Sequence, residues 1–178
     1  MTKIAVTGAP GCGKTTLIRR VVEELQERLN IGGIYTEEIR EGGARKGFAI
    51  IDIATGRRGI LAHVDLSSGP RMGKYRVNLR DIEGIAIPAI EEAWQHGDLV
   101  VIDEIAPMEL KSPKFVETVA RLLKSTKHML FAIHRRADHP LLQRVREEFC
   151  VYEVTPANRE RLVGEIVTAF TVGERTNG

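Results

Sequence analysis

The sequence predicts an α/β fold: a mainly parallel sheet with helices on both faces and an inserted β-hairpin. Short runs rich in Val and Ile alternate with longer stretches of helical periodicity, the pattern of strands joined by crossover helices. The runs do not alternate polar with apolar residues, as expected of strands covered on both faces. A glycine-rich turn joins the first run to the first helical stretch, and a later run ends in two acids.

Strands are expected at Lys3 to Thr7, Gly33 to Glu38, Leu99 to Asp103, His128 to Ile133 and Cys150 to Val154. The first helix is expected from Lys14 to Leu29, because Ile18, Val21, Val22, Leu25 and Leu29 recur on one face. Further helices start where a capping oxygen precedes a proline: Ser112 before Pro113, Asp138 ahead of Pro140, and Thr155 before Pro156. A helix from Asn78 to about His96, with Asn78 as its cap, should kink at Gly84 and Pro88. Phe48 to Ile53 and Gly59 to His63 read as the inserted hairpin, turning through Ala54 to Arg57. Val64 to Asn78, with Arg71, Lys74 and Arg76, reads as a long functional loop.

The 178 residues match one domain of typical size, roughly 150 residues. We assign it to 1–170, with the insertion at about 39–78 and 171–178 as a flexible tail. At 43% hydrophobic residues the chain can build a core without metal or disulfide staples. A formal net charge of +2 is too near balance to imply a dedicated polyanion binder, and no specific nucleic-acid binding is expected. Cys12 and Cys150 are the only cysteines, which points to a reducing compartment, the cytoplasm. The longest apolar runs span about six residues where a membrane helix needs about 20, so no membrane partner is expected. A monomer is the expected state.

Gly8 Ala9 Pro10 Gly11 Cys12 Gly13 Lys14 Thr15 is a complete match to GxxxxGK[ST], and it lies between a strand and a helix as the mechanism requires. Backbone N–H groups of such a loop curl around phosphate oxygens, at distances that side chains would block. Lys14 reaches the β and γ phosphates, Thr15 places its hydroxyl on Mg²⁺, and the helix start at Thr16 adds a favourable field for the anion. The fold class thereby narrows to the three-layer phosphate-loop NTPase type.

Asp103 and Glu104 close a buried strand at the carboxyl edge of the sheet, where the phosphates lie. Asp103 is expected to act through the metal, and Glu104 to orient a water for in-line attack and accept its proton. By analogy with phosphate-loop folds that carry this second acid, the strand at His128 to Ile133 lies between the acidic strand and the first. Its exit would bring Arg135 beside the γ phosphate, where a guanidinium can stabilise developing charge. His134 reads as a core or capping imidazole, and His139 as a helix entry.

With these motifs in place, the sequence resembles the cancer-related nucleoside-triphosphatase family over nearly its whole length. The resemblance rests on the loop, on Gly33 to Arg40, Gly47 Phe48, Gly73 to Asn78, Asp103 Glu104 Ile105 with Met108 Glu109 Leu110, and on Asn158 Arg159. It implies Mg²⁺-dependent hydrolysis of ATP, GTP and other nucleoside triphosphates to diphosphate and phosphate, with broad base tolerance and slow turnover. Ile105 to Met108 departs from the family pattern, which usually has a glycine and a basic residue before the methionine, so no basic contact is expected there. Thr36, Glu37 and Glu38 end their strand on the catalytic edge and are candidates for ordering water or the metal shell. Asn158 and Arg159 are candidates for the base. Two other readings suit the same residues: a small nucleotide or nucleoside kinase, and a nucleotide-controlled switch that binds protein or RNA.

Overall fold

The computed structural model describes residues 1–172; the part of the predicted tail from 173 to 178 lies outside the described residues. The strands are β1 (Lys3–Thr7), β2 (Ile31–Glu41), β3 (Ala44–Asp52), β4 (Arg58–His63), β5 (Arg71–Met72), β6 (Tyr75–Val77), β7 (Leu99–Ile105), β8 (His128–Ile133) and β9 (Cys150–Glu153). They form one sheet in the order β5-β6-β4-β3-β2-β7-β8-β1-β9. From β2 to β9 across the sheet every pairing is parallel, and β8 does separate the acidic β7 from β1. The other four strands pair antiparallel and extend the sheet as a wing.

The helices are α1 (Lys14–Leu25), α2 (Leu79–Asp81), α3 (Ile87–His96), α4 (Pro113–Leu123), α5 (Pro140–Glu148) and α6 (Arg159–Thr171). Val21 and Leu25 of α1 and Leu162 and Ile166 of α6 pack with Ile4, Val6, Val101 and Leu130 on one face of the sheet. Ile90 of α3, Val119 of α4 and Leu142 of α5 pack with Ala5, Val100, Ile102 and Phe131 on the other. Alternate residues of each parallel strand thus serve opposite cores, which is why those strands read as unbroken apolar runs.

Several elements differ from their expected limits, each for a tertiary reason. Helix α1 stops at Leu25 rather than Leu29, and Leu29 stays buried in a turn below it. Asn30 draws the chain into β2, its N–H bonding Asp98 Oδ2 at 2.7 Å and its amide bonding the His96 carbonyl at 3.2 Å. The wing is larger than one hairpin. Strand β2 runs on to Glu41, turns through Gly42 and Gly43 with φ of 57° and 79°, and returns as β3. Both central residues there need a left-handed backbone, the geometry of a tight hairpin turn. The expected loop at Val64 to Asn78 carries β5 and β6, a second small hairpin on the edge of the wing.

The helix expected after Asn78 is broken as anticipated, by a π turn over Ile82–Ala86 between α2 and α3. Pro88 has no N–H to offer the carbonyl of Gly84, and a wider turn at this point absorbs the missing bond. Asn78 makes no side-chain cap; its backbone N–H bonds the Leu61 carbonyl at 2.7 Å. Ser112 caps α4 as expected, accepting from Phe115 N at 3.1 Å. At α5 the cap is His139, whose Nδ1 accepts from Leu141 N at 3.1 Å, while Asp138 accepts from Gln143 Nε2 instead. Helix α6 starts at Arg159, later than Thr155 suggested, and runs through Thr171, which the sequence assigned to the tail.

Candidate active site

The phosphate loop leaves β1 at Thr7 and delivers Lys14 as the first residue of α1. Gly13 sits before the helix with φ of 100°, a conformation glycine adopts freely, and no side chain caps the helix start. Its first N–H groups therefore remain open to an anion. Thr15 and Thr16 are exposed at this end, as are Pro10 and Gly11, while Ala9 is half-buried. Cys12 is different. It is buried with Sγ against Gly8, so it offers the loop its backbone only.

One row of paired residues crosses the sheet beneath the loop: Tyr35 of β2, Asp103 of β7, Ala132 of β8, Val6 of β1 and Tyr152 of β9. Asp103 and the strand end that feeds the loop are two strand spacings apart, roughly 10 Å. Past Asp103 the ladder slips, because Asp103 pairs with Ala132 while Ile105 pairs with Ile133, leaving Glu104 as an extra residue. A bulge of this kind re-aims side chains at a strand end. Glu104 Oε2 comes to 3.4 Å from Lys14 Nζ, which also donates to the Gly8 carbonyl at 3.5 Å.

Asp103 is 2% exposed, and its Oδ2 has no hydrogen-bond partner among the described residues. Burial pushes its carboxyl up to about 7, Glu104 pushes the same way, and the Thr15 hydroxyl, Arg19 and Lys14 pull it back. A hard divalent cation fits this arrangement: Asp103 carries a buried oxygen without a partner among the described residues, the Thr15 hydroxyl acts on the same carboxyl, and oxygen donors are what Mg²⁺ prefers.

The remaining candidates fall around the same rim with different degrees of commitment. Arg135, just past β8, leans over the end of β1 to Glu153, with Nη2 to Oε1 of 3.4 Å. His134 is a brace: its Nδ1 accepts from Arg136 N and Ala137 N at 3.2 and 2.9 Å. Arg159 lies directly on Gly13, where a Cβ would meet its guanidinium, and its Nε is buried without a partner among the described residues. The side chain of Asn158 is consumed by the turn before α6. Its Oδ1 accepts from Thr155 N at 2.8 Å and its Nδ2 donates to the Glu153 carbonyl at 2.8 Å. Glu37 and Glu38 are each held by two arginines, Glu37 by Arg19 and Arg58, Glu38 by Arg40 and Arg45. These pairs keep both carboxyls below the usual range, Arg58 contributing most at Glu37 and Arg40 at Glu38.

Two residues with no assigned role emerge only here. Glu109 is 3% exposed and its Oε2 accepts from Ala106 N at 3.1 Å, closing the turn that follows Glu104. Burial first, and Glu104 second, hold its carboxyl well above the ordinary value. The sequence signal was an acid set between the apolar Met108 and Leu110. Arg19 lies one helical turn past Thr15, stacks on Tyr35 at 4.5 Å from the ring centre, and bonds Glu37 at 2.9 Å.

A glycine-lined anion cradle at an open helix start, opposed across one sheet rim by a buried Asp and a re-aimed Glu, defines a phosphate-loop nucleotide hydrolase. Residues 3–167 match the family described as NTPase, and the chain belongs to that family; it is a nucleoside-triphosphate hydrolase. It is 50% identical over 172 residues to the nucleoside-triphosphatase THEP1 of Methanosarcina acetivorans, covering 96% of this chain and 97% of that protein. With its counterpart in Thermotoga maritima it shares 44% identity over 177 residues, covering 97% and 99% of the two chains. The crystal structure of THEP1 from Aquifex aeolicus superposes with a TM-score of 0.86 at 34% identity, covering 96% of this chain and 99% of that one. The solution structure of a human cancer-related nucleoside triphosphatase gives a TM-score of 0.80 at 36% identity over 97% and 98%. No helix among the described residues is long and apolar enough to cross a membrane.

Proposed function

We propose that the chain hydrolyses the terminal anhydride of nucleoside triphosphates with Mg²⁺, at the rim between the phosphate loop and Glu104, with broad base tolerance and slow turnover. The observation that carries this reading is the 3.4 Å approach of Lys14 Nζ to Glu104 Oε2. A cation suited to the γ phosphate and a carboxylate suited to the attacking water meet at one point.

The backbone of Gly8 through Thr16 cradles the phosphates, and Lys14 exchanges part of its pairing with Glu104 for the γ phosphate. Thr15 and Asp103 would hold the cation, which would supply positive charge against the phosphates. Glu104 orients a water in line and takes its proton as the water oxygen bonds phosphorus and the bridging oxygen leaves with the diphosphate. Arg135, exchanging Glu153 for the transferring phosphoryl group, stabilises the charge that builds there. Arg159 presents a guanidinium beside the loop on which any base can stack. Asn158 shapes the turn, its amide already used at both ends, so it reads no base edge; that supports tolerance for several bases. Two free cysteines in 178 residues favour the cytoplasm as the working compartment.

The test is phosphate release from ATP, GTP, CTP and UTP, each with and without Mg²⁺. Release from all four, at rates within about tenfold and lost on chelation, is the expected outcome. Absence of release, or a phosphorylated acceptor outpacing free phosphate, overturns the reading in favour of a kinase.

A further inference from the structure

The wing has a face that the triphosphate site does not use. Ladder partners share a face, and the pairings place Tyr35, Ile39, Ile51, Arg58, Ile60 and His63 together. Arg76 joins them by pairing with His63, and Arg71 by pairing with Arg76. Tyr35 packs on the core beneath α1, so this face looks out on the side of the sheet where α1 begins. The opposite face, with Phe48, Met72, Tyr75 and Val77, is spent on the other core. Ile39, Ile51 and Ile60 are half-buried and belong to neither core.

Positive charge surrounds this apolar floor. Glu37 accepts from both Arg19 and Arg58, so one carboxylate serves two guanidiniums. Arg76 donates to the uncharged Gly69 carbonyl at 3.0 Å, and Asp65 lies 3.7 Å from His63. Four guanidiniums, those of Arg19, Arg58, Arg71 and Arg76, therefore face two carboxylates. Across the row Ile39, Gly47, His63 and Arg76 the floor spans three strand spacings, roughly 14 Å, about the length of one nucleotide. Arg58 is in the same row as Asp103, three strands away, roughly 14 Å across the sheet.

We propose that this face is a second nucleotide site that takes a nucleoside monophosphate, its base on Ile39 and Ile60 and its phosphate on Arg71, Arg76 and Arg58. Aliphatic floor and guanidinium rim answer the two ends of such a ligand, and one nucleotide fills the available length. The site opens onto the same side of the sheet as the phosphate loop, so it can be filled while the loop holds a triphosphate.

The test titrates AMP, GMP, CMP and UMP into the full chain with the loop saturated by a non-hydrolysable ATP analogue and Mg²⁺, following Ile methyl resonances and heat. Saturable 1:1 binding that shifts the methyls of Ile39 and Ile60 is expected. Arg71→Glu should weaken it at least tenfold, and Arg76→Gln should weaken it severalfold, with the affinity of the ATP analogue unchanged. Lys14→Ala should lose the analogue yet keep the monophosphate, which separates failure of this site from failure of the hydrolysis reading. Competition between monophosphate and analogue, binding indifferent to both arginine variants, no binding, or an RNA oligomer held more tightly than any monophosphate would overturn the proposal.

Discussion

Lys14 and Glu104, 90 residues apart in the chain, stand 3.4 Å from each other, one at the start of α1 and the other on a bulge in β7. Their meeting is produced by two local irregularities: a glycine loop that turns Lys14 inward, and an extra residue that turns Glu104 toward it. The side chains are 15% and 29% exposed, so substrate and water can reach both.

The first prediction separates the two roles. Lys14→Ala should abolish tight triphosphate binding, whereas Glu104→Gln should preserve it and reduce kcat about 10²-fold or more, the range for a lost general base. Phosphate release and titration of a fluorescent triphosphate analogue measure the two effects. Glu37 and Glu38 are poor substitutes, since each is clamped by two arginines; unchanged kcat in Glu104→Gln would remove the base from this site.

Asp103 makes stability and metal dependence oppose each other. Its carboxyl is raised from 3.8 to about 7 by burial, so between those values the folded chain holds a proton that the unfolded chain has released. Stability of the metal-free protein should therefore fall as pH rises from about 4 to about 7, and the loss is bounded at about 4 kcal/mol. Asp103→Asn should flatten that slope by the share of Asp103, leaving the part of the same sign that Glu109 contributes, and should raise the urea midpoint at pH 8 while abolishing Mg²⁺-dependent turnover. A metal-free stability profile identical in both proteins would contradict this.

Glu109 should behave as a neutral clip. Glu109→Gln keeps the acceptor for Ala106 N and should stay within about 1 kcal/mol of the parent in urea unfolding, with kcat within a few-fold. Glu109→Leu leaves that buried N–H without a partner and should cost about 1–3 kcal/mol. Turnover should fall with it, since that turn follows directly on Glu104. If Gln proved as damaging as Leu, the carboxyl would have a charge-dependent role.

Arg159 lies on Gly13, and its effect should be indifferent to the base. Arg159→Ala should raise KM for ATP, GTP, CTP and UTP by similar factors, about fivefold if stacking supplies about 1 kcal/mol and more if it supplies more. Steady-state kinetics on the four substrates read this out. A change confined to one base would mean an edge is being read.

The catalytic motifs were legible because they are short. Gly8 to Thr15 and Leu99 to Glu104 each carry their meaning within a few residues, and a strand before a helix, or a strand ending in acids, places them on the sheet rim. The Gly42–Gly43 pair is a turn signal, but the polar stretch around it has no apolar alternation to mark the strands on either side. Helix ends proved harder. Thr155 and Asn158 compete to start α6, and the bond from Asn158 to the Glu153 carbonyl, made outside the helix, decides between them.

By itself, then, the sequence determined the α/β layering, the phosphate loop and the acids that oppose it, because local periodicity and backbone chemistry act over a few residues. Only the tertiary structure decided that β7 bulges at Glu104, that Glu109 is sealed in beneath the turn it closes, that Arg135 meets Glu153, and that Arg58, Arg71 and Arg76 share a face. Those outcomes depend on ladder register and on burial. Both are properties of strands distant in the chain, and a single misplaced residue would send each of these side chains to the other side of the sheet.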